Sequence, residues 1–110
     1  ARYAPRPHVA FTFASLLMPT FRQQHVDAII DVRSPMEFAT GHLDGARCVP
    51  VDTIEQRIDA LPGLTKQSKI LLYCASGGRS ALAAQMLESM GYQHVVDGGG
   101  IGSAQREFTP

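Results

Sequence analysis

The chain is poor in cysteine, with only Cys48 and Cys74 among 110 residues. Two thiols cannot build a disulfide framework or a four-thiolate zinc site, and their spacing suits no two-thiol metal clip. Each must be judged singly. Net charge is also missing, since ten basic residues balance ten acidic ones to a formal +0. Without a long run of Lys and Arg there is no nucleic-acid or anionic-membrane footprint, so a small or neutral partner is expected. No stretch approaches the roughly 18 consecutive apolar residues that a membrane span needs. What is present fits one folded domain: an apolar share of 45% and a charged share of 18% argue for a core rather than disorder.

Pro5, Pro7 and Pro19 interrupt any period in the first two dozen residues. Residues 1–25 therefore read as a lead-in with one short helix, ahead of a single domain over 26–110. Arg2 and Arg6 before the apolar stretch Val9 to Met18 loosely resemble a signal peptide. Pro19 follows and no small-x-small cleavage site is present, so the compartment stays open.

From Ala28 to Val32 the chain is almost continuously apolar, as in a strand covered on both faces. Ser34, Pro35 and Glu37 then form a capping box with proline at the first helical position, predicting a short helix that ends near Gly41. Asp52, Thr53, Glu55 and Gln56 offer a second helix start, with Ile54, Ile58 and Leu61 on one face and Pro62-Gly63 as the stop. Ile70 to Tyr73 is another strand, and Leu82, Met86, Leu87 and Met90 recur at helical spacing up to Gly91. A short strand at His94 to Val96 precedes Asp97 and three glycines, read as a final loop. This alternation predicts an α/β fold with a mainly parallel central sheet flanked by helices. Ligands then bind beyond the carboxyl ends of the strands.

Cys74 falls at such an end, followed by Ala75, Ser76, Gly77, Gly78, Arg79 and Ser80. A thiol becomes a good nucleophile once ionised, and helix N-termini and nearby cations favour ionisation. The small, glycine-rich loop lets backbone N–H groups curl around the sulfur as an anion nest, the helix from about Arg79 adds its positive end, and Arg79 adds a guanidinium. A buried, inert thiol closing a strand is the bland alternative for a lone cysteine. The strand-to-helix setting, the paired glycines and the arginine five positions on favour the nucleophile.

The segment Cys74 to Ser80 after an apolar strand resembles the active-site loop of rhodanese domains. Asp31-Val-Arg-Ser-Pro-Met-Glu-Phe38 is similar to that family's first signature, Gly41-His-Leu-Asp-Gly-Ala46 to its second, and Gly91-Tyr92 with Gly98 to Ile101 to its closing segment. The likeness runs from about Val26 to Ile101 and is greatest to small single-domain bacterial members, including the phage-shock type. Asp44 stands where many members carry proline, and a terminal helix common in the family is not expected after Ile101.

The resemblance implies a three-layer rhodanese-like domain and a sulfurtransferase without cofactor or metal. Cys74 would take sulfane sulfur from a small donor such as thiosulfate and pass it, through a persulfide, to cyanide, a thiol or a thiol-bearing protein. Ala75, Ser76, Gly77, Gly78, Arg79 and Ser80 would bind the substrate. Asp31 and Arg33 would brace the active loop. Three other functions compete. A dual-specificity-type phosphatase or arsenate reductase needs one more residue between cysteine and arginine than the four present here. The second is a non-catalytic binding module or a sulfur relay docking on a protein partner, and the third a peroxide-reducing thiol; the relay and the peroxide-reducing thiol would use the same cysteine. His42 reads as structural, since a thiolate needs no general base, and Cys48 as packing, since it has no glycine nest or helix start.

Overall fold

The computed structural model describes residues 18–110. The signal-like stretch before Met18 lies outside them, and the lead-in helix finds no place in residues 18–25. Thr20–Phe21 (β1) and Gln24–His25 (β2) instead form a small hairpin, turned by Arg22 and Gln23 in the left-handed region at φ 50° and 65°. Phe21 is 2% exposed, so this segment is packed into the body of the domain.

The main sheet is built from Ala28–Asp31 (β3), Arg47–Cys48 (β4), Lys69–Cys74 (β5) and His94–Gly100 (β6). Its order is β4-β3-β5-β6 and every neighbouring pair is parallel. Alternation along the strands divides the core in two. Ile30, Ile70, Leu72 and Cys74 face one way, towards Ile54, Ile58, Ala83 and Leu87. Ile29, Leu71 and Tyr73 face the other, towards Phe21, Leu43 and Ala104. Helices Ile54–Arg57 (α2) and Gly78–Ser89 (α3) cover the first face. Helix Ile101–Glu107 (α4) and the small sheet β2-β1-β7, with β7 at Phe108–Thr109, cover the second. The expected α/β architecture of three layers around a parallel sheet is the one observed.

Helix Pro35–Ala39 (α1) opens with the expected capping box: Glu37 N donates to Ser34 Oγ at 3.2 Å and Ser34 N to Glu37 Oε1 at 3.0 Å. Three other expectations are corrected. The second helix is shorter than expected: Thr53 Oγ1 donates to Pro50 O at 3.1 Å instead of capping it, and after four residues it tightens into a 3-10 turn at Ile58–Ala60. On α3, Leu82 is 51% exposed while Ser80, Ala83 and Leu87 are buried. Ser80 points in towards Cys74, and Leu82, two residues or about 200° further round the helix, then points out. Finally, the glycines after Asp97 are strand rather than loop, and α4 follows them. A Cβ at Gly98 would lie 2.9 Å from Leu71 Cδ1 and 3.1 Å from Leu72 O, so close approach of β5 requires the bare backbone that disguises the strand.

Candidate active site

β5 ends at Cys74 and α3 starts four residues later, with Gly77 as N-cap at φ +104°. That left-handed turn suits glycine and folds the loop back over the sulfur. Gly77 N donates to Cys74 Sγ at 3.0 Å and Ser80 N at 3.4 Å, while Sγ and Ser80 Oγ are 3.5 Å apart. Ser80 Oγ in turn donates to Gly77 O at 3.2 Å. The expected nest is therefore formed, and its donors converge on one atom.

Cys74 is fully buried, at 0% exposure. Burial pushes its thiol up, but the Ser80 hydroxyl and the N–H groups of Ser80, Gly77 and Ser76 stabilise the anion and outweigh it. The thiol lies below its ordinary pKa. This is buried sulfur prepared for ionisation, unlike an inert core cysteine. Cys48 has no such donors: its thiol donates to Arg33 O at 3.6 Å and is pushed up by burial and the Asp31 carboxylate. β3 lies between β4 and β5, so Cys48 and Cys74 stand about 9.6 Å apart in strand spacing, too far for a disulfide.

Arg79 does not lean over the sulfur unaccompanied. Its Nη1 and Nη2 donate to Glu37 Oε1 and Oε2 at 2.7 and 3.0 Å, a bidentate pair at the surface of the site. Glu37 thus closes the capping box of α1 and ties that helix to the cysteine loop. The pair and its neighbours hold Glu37 well down, to about 2. Beside it, Val32, Ser34, Pro50, Val51, Asp52 and Arg79 line a shallow pocket. A roomier cleft lined by Phe21, His25, Lys69 and His94 lies at the opposite, amino ends of the strands and contains no cysteine.

Asp31 and Arg33 form a buried bidentate pair, with Nε–Oδ1 at 2.9 Å and Nη2–Oδ2 at 2.7 Å. Arg33 Nη2 also donates to Gly41 O at 2.7 Å. These bonds brace the turn after α1, and none of the pair's hydrogen bonds reaches residues 75–80. Strand alternation explains this, since Asp31 lies level with Tyr73 in the register and Cys74 projects to the other face. His42 stacks on Phe38 with ring centroids 3.6 Å apart and bonds Phe38 O at 2.8 Å, a structural role.

Two contributors escaped the sequence reading. Glu37 reads as a capping residue within the first signature, and nothing local signals a partner 42 residues away. Gly100 backs the loop, since a Cβ there would lie 2.6 Å from Ala75 O. The three consecutive glycines were the available signal.

A family model for the Rhodanese-like domain matches residues 16–100. The chain is 35% identical over 85 residues to the thiosulfate sulfurtransferase PspE of Escherichia coli, covering 76% of this chain and 77% of that protein. It is 34% identical over 83 residues to a sulfurtransferase of Allochromatium vinosum, covering 74% and 75%. Among solved structures, a rhodanese with anions from E. coli superposes with a TM-score of 0.66 at 32% identity, covering 74% of this chain and 95% of that one.

Proposed function

The chain belongs to the rhodanese-like domain family, and from that premise we propose that it is a sulfurtransferase that carries sulfur as a persulfide on Cys74. The observation that carries this reading is the convergence of the Gly77 and Ser80 N–H groups on one sulfur atom, with the Ser80 hydroxyl, which accepts from the thiol, 3.5 Å away. Donors aimed at a point stabilise first a thiolate and then the negative persulfide that replaces it.

In the first half-reaction the Cys74 thiolate attacks the outer sulfur of thiosulfate. Its S–S bond breaks, sulfite leaves with the bonding pair, and Cys74 keeps the sulfane sulfur. In the second, cyanide or a thiolate attacks that outer sulfur and the Cys74 thiolate is released. This is two-step covalent catalysis. The buried sulfur favours donors that present one terminal atom end-on.

The same geometry argues against the phosphatase reading. A tetrahedral phosphate needs N–H groups and a cation spread around three oxygens, whereas here the donors close on sulfur and Arg79 is bound outward to Glu37. A protein thiol as acceptor remains compatible with this mechanism and makes the domain a catalytic relay.

Thiosulfate alone should convert the protein to a stable form one sulfur atom heavier, read by intact-mass spectrometry, and cyanide or a dithiol should remove the extra mass. Cys74→Ser should not load, and Cys48→Ser should load within about threefold of the parent rate, since a packing cysteine handles no sulfur. No gain across several sulfur donors, or an equal gain in Cys74→Ser, would overturn the assignment.

A further inference from the structure

The charges at the mouth of the site do not suit a dianion. Arg79 is the cation of the cysteine loop, and both of its outer nitrogens are occupied by Glu37. Asp52 lines the same shallow pocket as Arg79. Two carboxylates therefore accompany one guanidinium, while the buried Asp31–Arg33 pair is neutral as a unit. The Gly77 and Ser80 N–H groups are aimed at Sγ.

We propose that Glu37 is a specificity-determining residue which, by holding Arg79 and adding a fixed negative charge, biases the site towards sulfane donors of low charge over dianionic thiosulfate. The inference rests on the sulfurtransferase reading and names the donor class for that site. Glu37 is a positioning residue here, acting through Arg79 and through the field at the mouth. A sulfane donor carrying one negative charge, such as a thiosulfonate or an organic persulfide, meets about half the repulsion that thiosulfate meets. With methanethiosulfonate anion the balance is simple: the Cys74 thiolate takes the outer sulfur, the S–S bond breaks and methanesulfinate leaves.

Glu37→Gln isolates the charge. Glutamine keeps a side-chain oxygen to accept from Ser34 N, so the capping box survives, but it carries no charge and cannot hold Arg79 bidentately. Loading of Cys74 is followed by mass with thiosulfate and with methanethiosulfonate, in the parent and in the variant. One unit of charge near the mouth is worth about threefold in rate per unit charge on the donor. Loading by thiosulfate should therefore rise about tenfold, loading by methanethiosulfonate about threefold, and the ratio of the two should move about threefold towards thiosulfate. Adding Arg79→Ala to Glu37→Gln should cancel part of the thiosulfate gain, because the released guanidinium supplies that part.

The unaltered protein provides an independent measurement. Raising ionic strength should speed loading by thiosulfate, because screening relieves repulsion. An unchanged donor ratio in folded Glu37→Gln overturns the proposal while leaving the sulfurtransferase reading intact. So does a steep fall in the parent's thiosulfate rate with salt, which would mark a net positive mouth. Failure of the parent to load with either donor overturns both.

Discussion

Ser80 contributes both its amide and its hydroxyl to Cys74, the only side chain bonded to that sulfur among the described residues. In the thiol form, Sγ–H donates to Ser80 Oγ, which donates to Gly77 O. Once the thiol ionises, the hydroxyl can turn its proton to the sulfur, so this bond strengthens as the nucleophile forms. Hydrogen bonds to charged groups are worth about 1.5 to 3 kcal/mol. Ser80→Ala should accordingly raise the Cys74 pKa and slow loading at neutral pH by on the order of tenfold or more. The pH dependence of Cys74 alkylation in a Cys48→Ser background measures the first effect, with the midpoint expected to move up. An unmoved midpoint would mean that the backbone amides alone set the acidity.

At the scale of elements, the site depends on β6 as much as on the loop it supports. Cys74 is level with Gly100 in the β5–β6 register, where a bulge between Leu72 and Cys74 shifts the pairing. The nearest atoms to a Cβ at Gly100 are backbone atoms of Ala75 and Ser76, at 2.6 to 3.3 Å. These cannot rotate aside as the end of a side chain would. Gly100→Ala should therefore push the loop off the sulfur, lower the melting temperature and cut loading at least tenfold, since small misplacements of reacting groups cost up to about a hundredfold. Gly102→Ala is the matched control: it lies in α4 with nothing within 4 Å of the added carbon. That change should leave loading unaltered and slightly stabilise the helix. Similar losses in both variants would remove Gly100 from its supporting role.

Across the whole molecule, ionised carboxylates join elements distant in sequence. Glu37 links α1 to the cysteine loop, Asp27 accepts from Lys69 N at 2.8 Å, and Asp59 binds Lys66 and the Tyr92 hydroxyl. Each has its pKa lowered: Glu37 to about 2 by Arg79 and the Ser34 amide, Asp27 by the Lys69 amide, and Asp59 by Tyr92 and then Lys66. A carboxylate with a lowered folded-state pKa binds fewer protons folded than unfolded in the window between the two values. Stability therefore rises with pH there. The melting temperature should fall as pH drops from about 4.5 towards 2. Glu37→Gln, with no proton to take up at that position, should show a shallower fall. Parallel curves for the two proteins would show that the Glu37–Arg79 pair does not couple to folding.

The sequence alone determined several features that depend on near neighbours along the chain. Ala28 to Val32 and Ile70 to Tyr73 are readable as doubly covered strands because both faces are apolar, and Ser34 to Glu37 as a helix start because a capping box spans four residues. The loop from Cys74 to Ser80 is readable as an anion nest because glycines, sulfur and helix start are contiguous. Tertiary structure decided what depends on groups far apart. It turned Arg79 to Glu37, where a guanidinium finds a bidentate partner at 2.7 and 3.0 Å. It set Asp31 and Arg33 to brace the turn at Gly41 rather than the loop, because adjacent residues on a strand face opposite sides of the sheet. It also made Gly98 to Gly100 a strand, since residues without side chains show no hydrophobic period and only pairing with β5 reveals their role.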